Sequence, residues 1–161
     1  MSAFTGRAIG LGFAILWLLV GAGALPLPWR YLAGAAGVAT IAVLLVRAHR
    51  MNEPRTGAFR MKRYGIVVAA EFAAIACAQF ILTRLGAIGY LLPVVGMLVG
   101  VHFIGLWWAG GGERYLWLAG TMTAVDAGAL LLPAGGQAMQ AVAGLGSAAA
   151  LAWFAGTGAR T

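Results

Sequence analysis

The chain has 161 residues, of which 62% are hydrophobic and 9% charged, with a formal net charge of +7. A water-soluble domain carries roughly 25% charged residues, so four acids and eleven bases cannot cover this much apolar surface in water. The composition excludes an ordinary soluble domain. A lone cysteine, Cys77, excludes an internal disulfide and a thiolate metal cluster, and within "AAIACAQF" it reads as a small packing residue.

Lipid is the solvent that such a chain requires, and about 20 apolar residues span its hydrocarbon layer as one helix. No ten-residue alternating strands are visible, so an all-α polytopic bundle is expected rather than a barrel. Six spans are predicted, near residues 8–25, 31–46, 64–83, 89–108, 115–132 and 138–156, in a single membrane domain covering 1–161. "LPLPWR" closes the first span, because two prolines cannot continue a helical hydrogen-bond ladder. "TRLGAIG", "AGGGER" and "LPAGGQ" mark three later breaks. Arg7, the apolar run behind it and "AGA" at 22–24 also fit a cleaved signal peptide. The run is long for that role and leads straight into another span, so a retained first helix is expected.

Between the second and third spans lies "RAHRMNEPRTGAFRMKR", Arg47 to Arg63, with six of the eleven bases. The positive-inside rule places it in the cytoplasm. With six spans that side also receives Arg7, Arg114 and Arg160, leaving Arg30 and Arg84 outside, so both termini are expected to be cytoplasmic. The connection reads first as a topology determinant and second as a site of attraction to anionic lipid headgroups. It lacks interleaved aromatic or base-reading side chains, so no nucleic-acid partner is expected. Ten arginines to one lysine, with abundant alanine and glycine, point to a GC-rich bacterial genome and hence a bacterial plasma (inner) membrane.

Helices solvated by lipid associate through close backbone approach at small residues. Stripes of this kind occur at Ala70/Ala74/Ala78, Gly96/Gly100, Gly120/Ala124/Gly128 and Gly144/Ala148/Ala152. They predict a tight bundle, or a homodimer through the outermost stripes. Pro93 sits inside the fourth predicted span and is a candidate bend or hinge.

Five polar side chains interrupt the spans: Glu71, Gln79, His102, Thr123 and Asp126. Counted from the cytoplasmic ends of their helices, Glu71 lies roughly 10 Å deep and His102 roughly 9 Å deep, on consecutive antiparallel helices. An acid in hydrocarbon is costly, and a histidine opposite it lowers that cost by sharing a proton or forming an ion pair. Glu71 and His102 are therefore expected to face each other. Asp126 lies roughly 16 Å deep, nearly opposite the Gly120/Ala124/Gly128 stripe, as on a helix that packs with one face and lines a polar cavity with the other. Gln79 and Thr123 are weaker candidates, because an amide or hydroxyl can bond its own helix.

Three functions fit these residues. A proton-linked transporter or permeation pathway would use Glu71, His102 and Asp126 as a relay for a small cation or neutral solute, since histidine titrates near neutral pH. A non-catalytic structural or assembly subunit fits the small size and plain loops. A lipid-modifying enzyme fits least, because no nucleophile elbow, zinc-protease motif or paired aspartates is present. No cofactor is implied: a bis-histidine haem would need a second buried histidine, and a zinc site would have to collect its ligands from three helices.

Overall fold

A computed structural model describes residues 3–50 and 60–157. Those residues form six α-helices: α1 (Ala3–Gly23), α2 (Trp29–Arg50), α3 (Met61–Arg84), α4 (Leu91–Trp108), α5 (Arg114–Ala129) and α6 (Gln137–Gly156). A single 3-10 turn, Ile88–Tyr90, leads into α4, and no strand occurs among the described residues. Residues 51–59, the middle of the basic connection, and Arg160 lie outside the described residues. The protein is a helical bundle in which α1, α2, α3, α4 with its entry turn, and α6 are each long and apolar enough to cross a membrane.

Helix ends depart from the apolar windows in both directions. The basic flanks Arg47–Arg50 and Met61–Arg63 remain helical, because backbone bonding continues where the hydrocarbon stops. The fifth helix is shorter than expected. It ends at Ala129 after 16 residues, roughly 24 Å against a hydrocarbon layer of about 30 Å. Leu130, Leu131 and Leu132 follow as tightened turns bonded to Asp126, Gly128 and Ala129, and Pro133 then bars further helix. Gly86 and Gly135 make the hairpin turns after α3 and α5, both at φ +67°, which a side chain would strain.

The core is built around α1 and α6. Leu11, Ala14, Trp17 and Leu18 of α1 pack with Ala148, Ala150 and Leu151 of α6, joined by Ile41 of α2 and Leu118 and Met122 of α5. The helix read as a possible signal peptide is thus a principal core element. The α1–α6 crossing is backbone on backbone: a Cβ on Gly21 would fall 2.7 Å from the Gly144 carbonyl carbon. On the other side α4 lies across α5 through Gly96 and Gly100, which face Asp126 and Thr123.

Of the four small-residue stripes, two pack as expected, Gly120/Ala124/Gly128 does not, and Ala70/Ala74/Ala78 of α3 contains no buried residue. Gly96/Gly100 are buried under α5, and Gly144/Ala148 under the core. Gly120, Ala124 and Gly128 are exposed, and a Cβ on either glycine would meet nothing within 4 Å. The expected arrangement of α5 is therefore reversed. Its larger side chains Leu118, Met122 and Asp126 fill the interior, and the small-residue face looks outward. Cys77 is likewise exposed and packs against no core.

The third helix stands apart. It has no buried residue, and among the described residues its only helical neighbours are α4 and the 3-10 turn that leads into it. Val67 seats against Gly105, the Arg60 N–H donates to the Ala109 carbonyl at 2.8 Å, and Arg63 both donates to the Trp108 carbonyl at 3.2 Å and lies over its ring at 4.5 Å. Pro93 is the third residue of α4, a position whose N–H has no partner within the helix in any case. It begins α4 rather than interrupting it, so the reason for expecting a hinge there does not hold. Its ring is fully buried.

Candidate functional site

The polar residues inside the bundle fall into two separate groups. In the first, Glu71 on α3 faces His102 on α4, with Oε2 and Nδ1 3.2 Å apart. The contact has the distance of an ion pair without the alignment of a hydrogen bond. Val67, one turn before Glu71, offers its backbone to the same imidazole. The ring of His102 also meets the edge of Phe103, which stacks on Tyr115 at 6.1 Å. Side chains of both partners are largely covered, at 16% exposure for Glu71 and 10% for His102. The two residues lie at one depth because α3 and α4 form a hairpin closed by the short Gly86 turn.

In the second group, Asp126 on α5 is fully buried against Gly96 of α4 and Ser147 of α6. Ser147 Oγ donates to Asp126 Oδ2 at 2.9 Å, while Oδ1 has no partner among the described residues. Thr123, one turn earlier, points at Gly100. Asp126 therefore does not line an open polar cavity, the surroundings expected for it. It is a three-helix packing contact, and the glycine of α4 is what leaves room for the carboxyl group.

No hydrogen bond or ion pair among the described residues joins the two groups, so the expected three-membered relay is not assembled as a chain of contacts. Gln79 takes no part in either. Its side chain is exposed on α3, and its backbone carbonyl accepts the Thr83 hydroxyl at 2.7 Å.

Only the first group borders open space. A groove of about 460 Å³ runs between α1 and α3, floored by α4 with α5 and α6 behind it. The backbones of α1 and α3 do not approach each other closely, and the groove opens outward between them past Phe13, Leu16 and Phe72, which are more than half exposed. Its walls are mostly apolar: Trp17, Val20, Ile75, Leu92 and Val95 line one half. The polar groups gather at the basic end, where α1, α3 and α5 begin. There Arg7, Tyr64, Glu71, His102, Arg114 and Tyr115 come together from four helices. The space that the pair borders is thus a mainly apolar groove with a polar mouth.

Sequence reasoning missed Ser147, Arg7 and Arg114 as members of these sites. Ser147 lies nine residues before the end of α6 and Asp126 twelve after the start of α5, within about one turn of a common depth. The depth comparison that pairs Glu71 with His102 would have flagged it. Arg7 and Arg114 read as topology determinants, and nothing in their local sequence shows that one cavity collects them. Among the described residues no group of three or more His, Cys, Asp or Glu side chains is placed to hold a metal ion. Comparison with known proteins finds no matching family model, no matching curated protein and no matching solved structure.

Proposed function

We propose that this chain is a multi-pass protein of a bacterial plasma membrane that moves a small solute in linkage with a proton, with Glu71 and His102 as the proton-exchanging pair. One observation carries the reading: a carboxyl and an imidazole 3.2 Å apart, from two helices, on the wall of a groove that reaches the outside of the bundle. Ionisable groups within a membrane are expensive and mark ion or substrate paths more often than they serve as glue. The pair can hold one proton or release it to a solute in the groove, and imidazole is a side chain suited to such a shuttle. The apolar walls favour a neutral solute over a small cation, since nothing there replaces a cation's water shell. Asp126, bonded to Ser147 and away from the groove, is assigned to packing in this proposal.

The test is proton flux. Purified protein in liposomes loaded with a pH-sensitive dye, given an imposed pH step, should acidify the lumen faster than protein-free liposomes. Glu71→Gln combined with His102→Asn should return the rate to the protein-free value, with helicity and thermal unfolding unchanged. Undiminished flux in that double variant would remove the pair from the pathway.

A second reading, a non-catalytic assembly subunit, draws on α3. A helix with no buried side chain, packed among the described residues on α4 and its entry turn alone, offers most of its surface to another protein. In that reading Glu71–His102 is the clasp that keeps α3 on α4, and the flux test separates the two.

A further inference from the structure

The side chains around the groove sort by exposure as well as by chemistry. Five of the lining side chains are exposed: Ile9, Phe13, Leu16 and Val20 of α1, and Phe72 of α3. All five are apolar. The polar lining residues behave in the opposite way. Arg7 is buried, and Tyr64, Glu71, His102, Arg114 and Tyr115 are each partly buried, so none of them is an exposed group. In α1 the four exposed positions are spaced i, i+4, i+7 and i+11, which places them on one helical face roughly 16 Å long. An entrance of this composition facing water would leave large apolar side chains wet, at a cost of about 25 cal/mol per Å². Facing the bilayer, between two membrane-length helices, it carries no such cost.

We infer that the solute reaches the groove sideways from the bilayer, and that it is an uncharged lipophilic molecule carrying a hydroxyl group. Its transport rests on the proton reading, whereas its binding does not. Three observations point to this class. An ion passing Phe13, Leu16 and Phe72 would give up its water to apolar surface, which an uncharged molecule does not have to do. Inside, Trp17, Ile75, Leu92, Val95 and Val99 offer only apolar contact, in a space of about 460 Å³ that suits one small molecule. The polar contact on the wall is the Glu71–His102 pair, and its 3.2 Å approach lacks hydrogen-bond alignment, so neither group's bonding capacity is used up by the other. A hydroxyl group serves that pair in either protonation state: it donates to a carboxylate and accepts from an imidazolium.

Photolabelling of the intact protein in detergent, with an octanol carrying a diazirine on its chain, tests the site without a pH gradient. The expected result is saturable labelling that peptide mass spectrometry maps to Phe13, Leu16, Phe72 and Ile75. At equal mole fraction in the detergent, unlabelled octanol should displace the probe about tenfold better than octane, the contribution of one hydrogen bond to an ionised group. Octyltrimethylammonium should displace it less well than octanol. Ile75→Trp, which fills the apolar half from the peripheral helix, should abolish saturable labelling at Phe13 and Leu16. Glu71→Leu with His102→Leu should keep the labelling and remove the advantage of octanol over octane. Saturable labelling without proton flux would support the site and remove the proton reading, and flux without saturable labelling would do the reverse. Equal displacement by octane and octanol in the parent protein, stronger displacement by the ammonium, or displacement by phosphatidylglycerol alone would each overturn the inference.

Discussion

Helices α3 and α5 each bring one acid into an apolar run, yet the fold treats the two acids in opposite ways. Helix α5 is short and wedged between α4 and α6, and its acid is sealed by a glycine on one side and a serine on the other. Helix α3 is long and peripheral, packed among the described residues on α4 and its entry turn alone, and its acid lies on a groove wall opposite one histidine. The difference does not come from how apolar each helix is. It comes from how many neighbours each has. Two neighbours can close over a carboxyl group, whereas one leaves it an open side, and an acid with an open side is the one available for exchange with a solute.

The contrast can be broken most severely at the core seam. Gly21→Val would set a branched side chain against the Gly144 and Leu145 backbone, which cannot rotate away. Overpacking of this kind costs about 1–3 kcal/mol. A matched Ala70→Val change on the exposed face of α3 should stay within about 0.5 kcal/mol of the parent. Reversible unfolding in mixed micelles measures both, and equal losses would mean that α3 is as integral to the bundle as α1.

A loss of comparable size is expected at the sealed acid. Asp126→Leu leaves the Ser147 hydroxyl without its acceptor and should cost about 1–3 kcal/mol, whereas Asp126→Asn keeps an oxygen facing Ser147 and should cost less. A double-mutant cycle of Asp126→Ala with Ser147→Ala should give a coupling energy above about 1 kcal/mol. Zero coupling would show that the contact is incidental.

The smallest thermodynamic effect belongs to the open pair. A cycle of Glu71→Ala with His102→Ala should give about 0.6 kcal/mol, the average for polar contacts between membrane helices. Its larger signature is geometric. Spin labels at positions 16 and 72, on the two lips of the groove in a Cys77→Ala background, should show a broader α1–α3 distance distribution once the pair is removed. Gln79→Leu, on the exposed face of the same helix, is the control that should leave that distribution unchanged. A Glu71–His102 coupling as large as that of Asp126–Ser147 would erase the distinction between the two helices.

Much of this was legible without coordinates. Helix number, order and approximate bounds follow from the lengths of apolar runs and the breakers between them, because lipid forces each run to satisfy its own backbone. The facing of Glu71 and His102 also follows, since a hairpin of two antiparallel helices leaves depth as the deciding variable. The orientation of α5 did not follow. Gly120/Ala124/Gly128 and Gly96/Gly100 are equally good packing stripes in sequence, but only the second is used. A stripe states that a helix can be approached closely, not that anything approaches it.

What the amino-acid order determined alone is the solvent the chain requires, the helices it makes and the depth of each ionisable group, because these depend on composition and on 1.5 Å of rise per residue. The tertiary structure decided which faces turn inward, that Asp126 closes on Ser147 away from Glu71, and that Arg7 and Arg114 meet at one groove mouth. Those outcomes depend on contacts between helices distant in the chain, and local spacing carries no record of which helix will become the neighbour.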